Sequence, residues 1–261
     1  MTDAVFERDG EYFVPTRRAG SPWADELQHG GPPAGLLARA IENLVATDEM
    51  RVVRLTVDLF RPVPMKPLTV TARSVREGKR IHIVDAVIAA DGVEVSRASG
   101  LLLRISEQPQ SRSAGTLHPP GDPGEGDRGP LLRGDDMPRR QGFHTASEIR
   151  RLPQTETGPS TAWIRVPELV EGEVMSPLVR LASTCDFVNA VGSMGALPGG
   201  LGFINTDSTI YLHRPPVGEW ICLQVERGIE PDGIGVSSAV LYDREGSIGR
   251  AAQAVLANQM R

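Results

Sequence analysis

The sequence contains an internal repeat with a fixed offset. The dipeptide Arg61-Pro62 recurs as Arg214-Pro215, and Arg97-Ala98 recurs as Arg250-Ala251, each 153 positions later. The two pairs lie far apart along the chain, so the offset is kept over a long run with no net insertion or deletion. A repeat of this kind predicts two copies of one fold, which we expect to be related by a pseudo-twofold axis.

The pattern of each copy predicts one helix followed by an antiparallel meander. In the first copy, HGGPPAGLLARAIENLV (residues 29–45) has helical apolar spacing behind a Gly-Gly-Pro-Pro entrance. The β-branched runs that follow, joined by short turns, cover residues 52–60, 68–77, 81–90 and 93–105. The second copy repeats this order with a helix over 176–192 and a strand over 203–212. The predicted class is therefore α+β, with each sheet packed against one helix.

A stretch rich in glycine and proline separates the two copies. Between residues 107 and 142, 13 of 36 residues are Gly or Pro, and no periodicity is visible. We therefore predict an N-terminal domain over 1–106, a linker over 107–142 and a C-terminal domain over 143–261. FHTASEIRRL (143–152) and TAWIRV (161–166) are predicted to be the opening strands of the second copy.

The composition argues against several classes of protein. A net charge of −5 at pH 7 gives no electrostatic basis for binding nucleic acid. No apolar run approaches the roughly 18 residues of a membrane span, and the acidic N-terminus lacks the apolar segment of a secretory signal. Cys185 and Cys222 are the only cysteines, and no spacing suggests a metal site. We expect a cytoplasmic protein with reduced thiols, without a metal or a membrane span.

Two polar residues interrupt the apolar face of the second helix. Ser176 followed by Pro177 is a helix-start signal, and Gly192 is a helix-stop signal. The apolar face between them consists of Leu178, Leu181, Ala182, Cys185 and Val188. Asn189 falls inside that face and Asp186 at its edge. A carboxylate there must be paired, hydrogen-bonded or shifted in protonation, because its desolvation is costly.

Three motifs together resemble a known family. HGGPPAGLL in the first copy, and DFVNAVG and FINTDSTIYLHRP in the second, are similar to the double-hotdog acyl-CoA thioesterases of the bacterial thioesterase II type. The resemblance covers nearly the whole chain outside the linker. It implies a long helix wrapped by an antiparallel sheet, twice, so that one chain forms a pseudo-dimer. It also implies hydrolysis of acyl-CoA without a cofactor, and further pairing into homo-oligomers is compatible with it.

The resemblance also implies a set of catalytic residues. The family uses an Asp on the second helix, a Thr or Ser on the next strand and a Gln on the last strand. Asp186 matches the first and Gln253 the last, whereas the hydroxyl position falls on Asn205, with Thr206 beside it. Because neighbouring strand residues face opposite sides, Thr206 could substitute only if a bulge turned it inward.

The repeat allows an internal comparison of these positions. Subtracting 153 takes Asn205 to Val52 and Gln253 to Gly100, and the first helix has Gly, Pro and Ala near the counterpart of Asp186. Residues needed only by the fold would tend to be kept in both copies. The comparison favours one competent site and one degenerate site.

The expected mechanism is hydrolysis by an activated water. Asp186 would act as general base on a water also held by Gln253 and by Asn205 or Thr206. Two alternatives stay open from the residues alone. One is an acyl-CoA or acyl-carrier-protein binding protein without activity. The other is a hotdog enoyl-CoA hydratase, which would pair a histidine with an aspartate across the two halves.

Substrate binding is expected at the entrance of the first helix. The backbone N–H groups of Gly30 and Gly31 would take the substrate carbonyl oxygen, aided by the helix dipole. His29, immediately before them, and Asn189, on the second helix, are the further binding candidates.

Overall fold

The computed structural model describes residues 3–45, 47–106, 117–129, 131, 140–154, 158–193 and 201–259. The α-helices are α1 (Gly31–Leu44), α2 (Phe143–Ala146), α3 (Pro177–Cys185) and α4 (Val188–Gly192). The strands of the first half are β1 (Phe6–Asp9), β2 (Tyr12–Pro15), β3 (Met50–Asp58), β4 (Leu68–Arg76), β5 (Ile81–Ala90) and β6 (Val93–Arg104). The later strands are β7 (Asp127–Arg128), β8 (Glu148–Arg151), β9 (Ser160–Arg165), β10 (Leu201–Asn205), β11 (Asp207–Leu212), β12 (Ile221–Ile229), β13 (Ile234–Asp243) and β14 (Gly246–Gln259).

The strands form one antiparallel sheet that runs through both copies. Its order is β1-β2-β4-β5-β6-β3-β11-β14-β13-β12-β9-β8-β7, and β10 also pairs with β14. The copies join where β3 pairs with β11, and there Thr56 lies directly opposite Thr209, its own counterpart 153 positions later. The pseudo-twofold axis therefore passes between these two residues. The predicted α+β class and repeat register are confirmed.

The two long helices pack against each other and against their own halves of the sheet. Helix α1 contacts β4, β5 and β6, and it also contacts α3. The helices approach so closely that a Cβ added to Gly35 would lie 2.2 Å from Ser183 Oγ. Leu37, Ile41 and Leu181 are fully buried between these layers. Burial of these apolar faces, at about 25 cal/mol per Å² of apolar surface, is what stabilises the pairing.

The predicted helix over residues 176–192 is divided in the structure. Ser176 caps α3 by accepting a hydrogen bond from Val179 N, and α4 ends at Gly192, so both predicted termini are confirmed. Between them α3 stops at Cys185 and α4 begins at Val188. The strand predicted over 203–212 is likewise divided, because Thr206 separates β10 from β11.

The start of the second copy also differs from the prediction. Phe143 and the three residues after it form the helical turn α2, and the strand begins only at Glu148. The turn is held by hydrogen bonds from Phe143 N to Gly20 O and from Ala146 N to Gly142 O, which a strand could not make. Within the predicted linker, residues 127–128 form the edge strand β7 beside β8. The domain boundaries themselves stay a prediction.

No helix in the described ranges is both long and apolar enough to cross a membrane.

Candidate active site

The end of α3 meets the start of α1 at an aspartate and a histidine from different copies. Asp186 caps the C-terminus of α3, and His29 lies just before α1. Their side chains pair with Nδ1 of His29 2.8 Å from Oδ2 of Asp186. The side chains are 11% exposed for His29 and 8% exposed for Asp186, so the pair is largely shielded from water. The two copies therefore share one site.

Asp186 has further partners that stabilise its charge. Asn205 Nδ2 donates to Oδ1 at 2.8 Å, and the backbone N–H of Gly31 also bonds the carboxylate. Burial raises the pKa of Asp186, but the charge of His29 and these hydrogen bonds outweigh it and lower the pKa below its usual value. The carboxylate also faces the N-terminal end of the α1 dipole, which favours a negative charge. Asp186 is therefore ionised at neutral pH.

The pairing decides which nitrogen of His29 carries a proton. An ionised carboxylate can only accept hydrogen bonds, so Nδ1 carries a proton and donates it to Asp186. Gly31 N, 3.2 Å from Nδ1, then serves the carboxylate rather than the ring. Nε2 has no hydrogen-bond partner within the described part of the chain. When His29 is uncharged, Nε2 is the ring nitrogen left free to accept a proton.

Aromatic rings surround the imidazole. The ring of His29 lies 4.8 Å from that of Phe187 and 5.4 Å from that of Phe143, measured between centroids. His144 stacks 6.4 Å away, and burial together with the charge of His29 lowers the pKa of His144 to about 4. These rings fix the position of the imidazole. The sequence pattern of Phe143 and His144 predicts a strand rather than the turn α2, so it does not point to these two residues as part of the site.

The Gly-Gly entrance of α1 allows the close approach of the two helices. A Cβ on Gly30 would lie 2.7 Å from Asp186 Oδ1, and a Cβ on Gly31 would lie 2.5 Å from Ser183 O. A side chain at Gly30 would displace Asp186, and one at Gly31 would force the two helices apart. Among the described residues, the N–H of Gly30 has no hydrogen-bond partner, whereas that of Gly31 is used by Asp186.

Gln253 is inserted into the break between α3 and α4. Its Nε2 donates to Cys185 O at 3.0 Å, and its Oε1 accepts from Asn189 N at 2.8 Å. In a continuous α-helix the N–H of Asn189 would bond the carbonyl of Cys185 directly. The Gln253 amide instead bonds both of these backbone groups, and the side chain is buried, with 1% exposed. This insertion explains the break and holds the backbone on both sides of Asp186.

Two other residues predicted for the site, Asn189 and Thr206, are not part of the His29–Asp186 pair. Asn189 is buried, with Nδ2 donating to Phe203 O and Oδ1 accepting from Arg227. Both polar atoms of its side chain already have a partner within the protein, and its predicted substrate-binding role stays a prediction. Thr206 is exposed at the strand break, although the register with β14 does shift by one residue there. The bulge leaves Asn205, and not Thr206, on Asp186.

No cluster of three or more His, Cys, Asp or Glu side chains that could hold a metal ion occurs in the described ranges. The site is a carboxylate, an imidazole and an amide at the junction of two helices. Such a set can orient a water, take a proton from it and return that proton.

Family models identify the class of protein. The acyl-CoA thioesterase N-terminal domain matches residues 19–103, and the acyl-CoA thioesterase C-terminal domain matches residues 116–257. The chain belongs to the acyl-CoA thioesterase family.

Solved structures show the same fold at low sequence identity. A protein from Thermobifida fusca assigned as thioesterase II has a TM-score of 0.74 at 16% identity, covering 98% of both chains. The tesB protein of Mycobacterium avium subs. paratuberculosis has a TM-score of 0.67 at 16% identity, covering 97% of this chain and 95% of its own. A protein from Alicyclobacillus acidocaldarius with a hot dog fold has a TM-score of 0.72 at 16% identity, covering 98% and 97%. Among curated proteins, no sequence matches this chain. The resemblance to the thioesterase II type and the predicted hotdog architecture are confirmed.

Proposed function

We propose that this protein hydrolyses fatty acyl-CoA to a free fatty acid and CoA at the His29–Asp186 site. The observation that carries the proposal is the buried, ionised Asp186 paired with His29 across the two halves. The family supports the reaction class. The expectation that the hydrolysis uses no cofactor stays part of the proposal.

The electrostatics favour His29 as the base that activates water. A carboxylate whose pKa is lowered binds a proton weakly, so Asp186 alone is a poor base. An imidazole held by a carboxylate at Nδ1 can take a proton at Nε2, and the carboxylate stabilises the cation that forms. In this scheme Asp186 orients His29, Asn205 fixes Asp186, and Gln253 shapes the backbone around it.

The start of α1 offers a place for the developing negative charge. Gly30 is the N-cap residue of α1, its N–H has no hydrogen-bond partner among the described residues, and Pro32 and Pro33 in the first turn have no N–H. An oxyanion there would gain one hydrogen bond and the favourable end of the helix dipole. Gly31 supports this arrangement indirectly, because its N–H is used by Asp186.

The test is release of free thiol over a panel of acyl-CoA chain lengths. We expect Asp186→Asn and His29→Gln each to lower kcat by about 10²–10⁴-fold, the usual contribution of a general base. Asp85→Asn serves as matched control, because Asp85 is paired with Arg73 on the first half of the sheet. Wild-type turnover in Asp186→Asn would contradict the site. Loss of activity in Asp186→Asn together with full activity in His29→Gln would indicate that Asp186 itself is the general base.

One observation favours a second candidate function. A hotdog enoyl-CoA hydratase needs a histidine and an aspartate in one site, and the structure brings His29 to Asp186 from the other half. The discriminating measurement is the loss of enoyl thioester absorbance on hydration, beside thiol release. Hydration lost in His29→Gln, without thiol release in the wild type, would support the hydratase. Binding of acyl-CoA with neither reaction would support a binding protein without activity.

A further inference from the structure

A cavity with a basic wall lies at the tip of the hairpin formed by β4 and β5. Its volume is about 690 Å³, a size typical of small-molecule sites. The end of β6 contributes to the wall, because β6 pairs with β5 in the sheet. The charged and apolar side chains that line it are Arg76, Lys79, Arg80 and Arg104 with Ile81 and Leu103. We call it the basic cavity.

Three of the four cations of the basic cavity have no counter-charge. Arg104 pairs with Glu49 at 2.9 Å. Within the described part of the chain the other three cations form no ion pair, and no Asp or Glu lines the cavity. Glu77, at the tip of the hairpin, is exposed and lies outside the wall. The wall is therefore positively charged, although the chain as a whole carries a net charge of −5.

The second copy shows that the fold does not need this charge. The offset of 153 relates the pair Ile81–Leu103 to Ile234–Leu256, and the two residues of each pair are direct neighbours across their strands. The hairpin and its apolar pair are thus present in both copies. The counterparts of the four cations are Ile229, Asp232, Gly233 and Ala257. A structural need of the hairpin therefore does not explain the cations.

The wall suits phosphate groups that are attached to an apolar surface. Guanidinium groups bind phosphate oxygens in pairs, and a lysine adds a point charge. The side chains of Ile81 and Leu103 are 37% and 38% exposed, so an apolar part of the wall lies uncovered beside the cations. A nucleoside diphosphate combines both properties, because it joins several negative charges to a flat ring with apolar faces.

The basic cavity lies far from the candidate active site. Arg104 pairs with Met50 at the start of β3. Leu59 follows the end of β3, and its Cδ1 lies 2.8 Å from the position of a Cβ on Gly30, in the candidate active site. The nine residues of β3 separate these two ends, which corresponds to roughly 30 Å. Phosphates held in the basic cavity are therefore remote from the groups that act on water.

We propose that the basic cavity binds a nucleoside diphosphate group, with its phosphates on the cations and its ring on Ile81 and Leu103. The proposal does not rest on the proposed function, because the two sites share no residue. A free nucleotide and the nucleotide end of a CoA molecule both carry this group.

The experiment is calorimetric titration of the full chain with ADP at low ionic strength, where charge contacts are least screened. We expect one ADP per wild-type chain. Arg76→Ile and Lys79→Asp should each weaken ADP binding by about tenfold or more, because each removes a charge-assisted contact. Both variants carry the residue that the second copy has at the same position, so the hairpin is expected to form.

The charge control is Arg128→Glu, which changes an exposed arginine on the edge strand β7. It should bind ADP as the wild type does. ADP binding that is absent from the wild type, or that is the same in Arg76→Ile, Lys79→Asp and Arg128→Glu, would overturn the proposal. Unfolding in urea checks that each variant is folded, and none of these readouts depends on turnover.

Further titrations identify the ligand. Inorganic diphosphate should bind more weakly than ADP, and equal affinity would overturn the role of the apolar pair. CoA that binds more tightly than ADP, and that is weakened by the same substitutions, supports the nucleotide end of CoA as the ligand. Equal or weaker binding of CoA supports a free nucleotide. Sedimentation with phosphatidylglycerol vesicles, in the absence of ADP binding, would overturn the nucleotide in favour of a lipid surface.

Discussion

The carboxylate of Asp186 shows how a buried charge is made acceptable. Its oxygens are bonded by His29, Asn205 and the N–H of Gly31, and the sum of these outweighs the desolvation. The expectation from the sequence, that a carboxylate at this position must be paired, is confirmed. Removal of His29, the ionic partner of this carboxylate, would leave a buried charge without a counter-charge, at a cost of about 3–5 kcal/mol.

His144 supplies a prediction on pH and stability. Its pKa is lowered to about 4 in the folded protein, from an ordinary value of 6.5. Between these values the unfolded chain binds a proton that the folded chain does not, so the free energy of unfolding falls as the pH drops through this window. We expect the wild type to lose about 2 kcal/mol more than His144→Gln between pH 6.5 and 4, allowing for partial exposure of the ring.

The measurement is urea unfolding at a series of pH values. His213→Gln, which removes an exposed histidine, is the control and should follow the wild type. Parallel pH curves for the wild type and His144→Gln would show that the ring is not buried neutral beside His29.

At the scale of elements, the backbone groups at the break between α3 and α4 are fully hydrogen-bonded, unlike those of a frayed helix end. The broken bond is replaced by two bonds to the buried amide of Gln253, a residue of β14. Arg227 then bonds the carbonyl of Asn189 and Ser193 Oγ at the end of α4. Desolvation lowers the pKa of Arg227 to about 10, which leaves it charged at neutral pH against the C-terminal end of the helix dipole.

Substitution of Gln253 tests the role of the interruption. Gln253→Ala leaves the N–H of Asn189 and the carbonyl of Cys185 without their partners in a buried position. We expect a loss of about 1–3 kcal/mol in the free energy of unfolding, the cost of unsatisfied buried groups. The measurement is urea unfolding, with Gln141→Ala as control, because Gln141 is exposed. An unchanged midpoint would mean that the helix closes its own bond once the amide is gone.

At the scale of the molecule, the site exists only because two copies are joined. Asp186 and Asn205 come from the second half and His29 from the first, so neither half contains the site alone. The join is made by the β3–β11 pairing, by α1 against α3, and by the two-bond ion pair of Arg39 with Glu173 at 2.6 and 2.7 Å. These contacts hold His29 beside Asp186.

A disulfide at the pseudo-twofold axis tests the junction. Thr56 and Thr209 are direct cross-strand partners with their hydroxyls 3.3 Å apart, so Thr56→Cys with Thr209→Cys should oxidise to a cross-link between the halves. The readout is a band of faster mobility on non-reducing electrophoresis that reverts with reductant. Thr56→Cys with Ser208→Cys is the control, because Ser208 lies on the opposite face of β11. Equal cross-linking in both pairs would contradict this register.

The sequence by itself determined the number of copies and most of the strands. Strand β5 occupies the predicted residues 81–90, because alternation of apolar and polar side chains is a local property. The offset of 153 located the pseudo-twofold axis, because both copies share one register. The tertiary structure alone decided the pairing of His29 with Asp186 and the insertion of Gln253 into the break between α3 and α4. These contacts join segments far apart in the chain, so no local periodicity encodes them, and they form only when two helix ends and a strand are packed together.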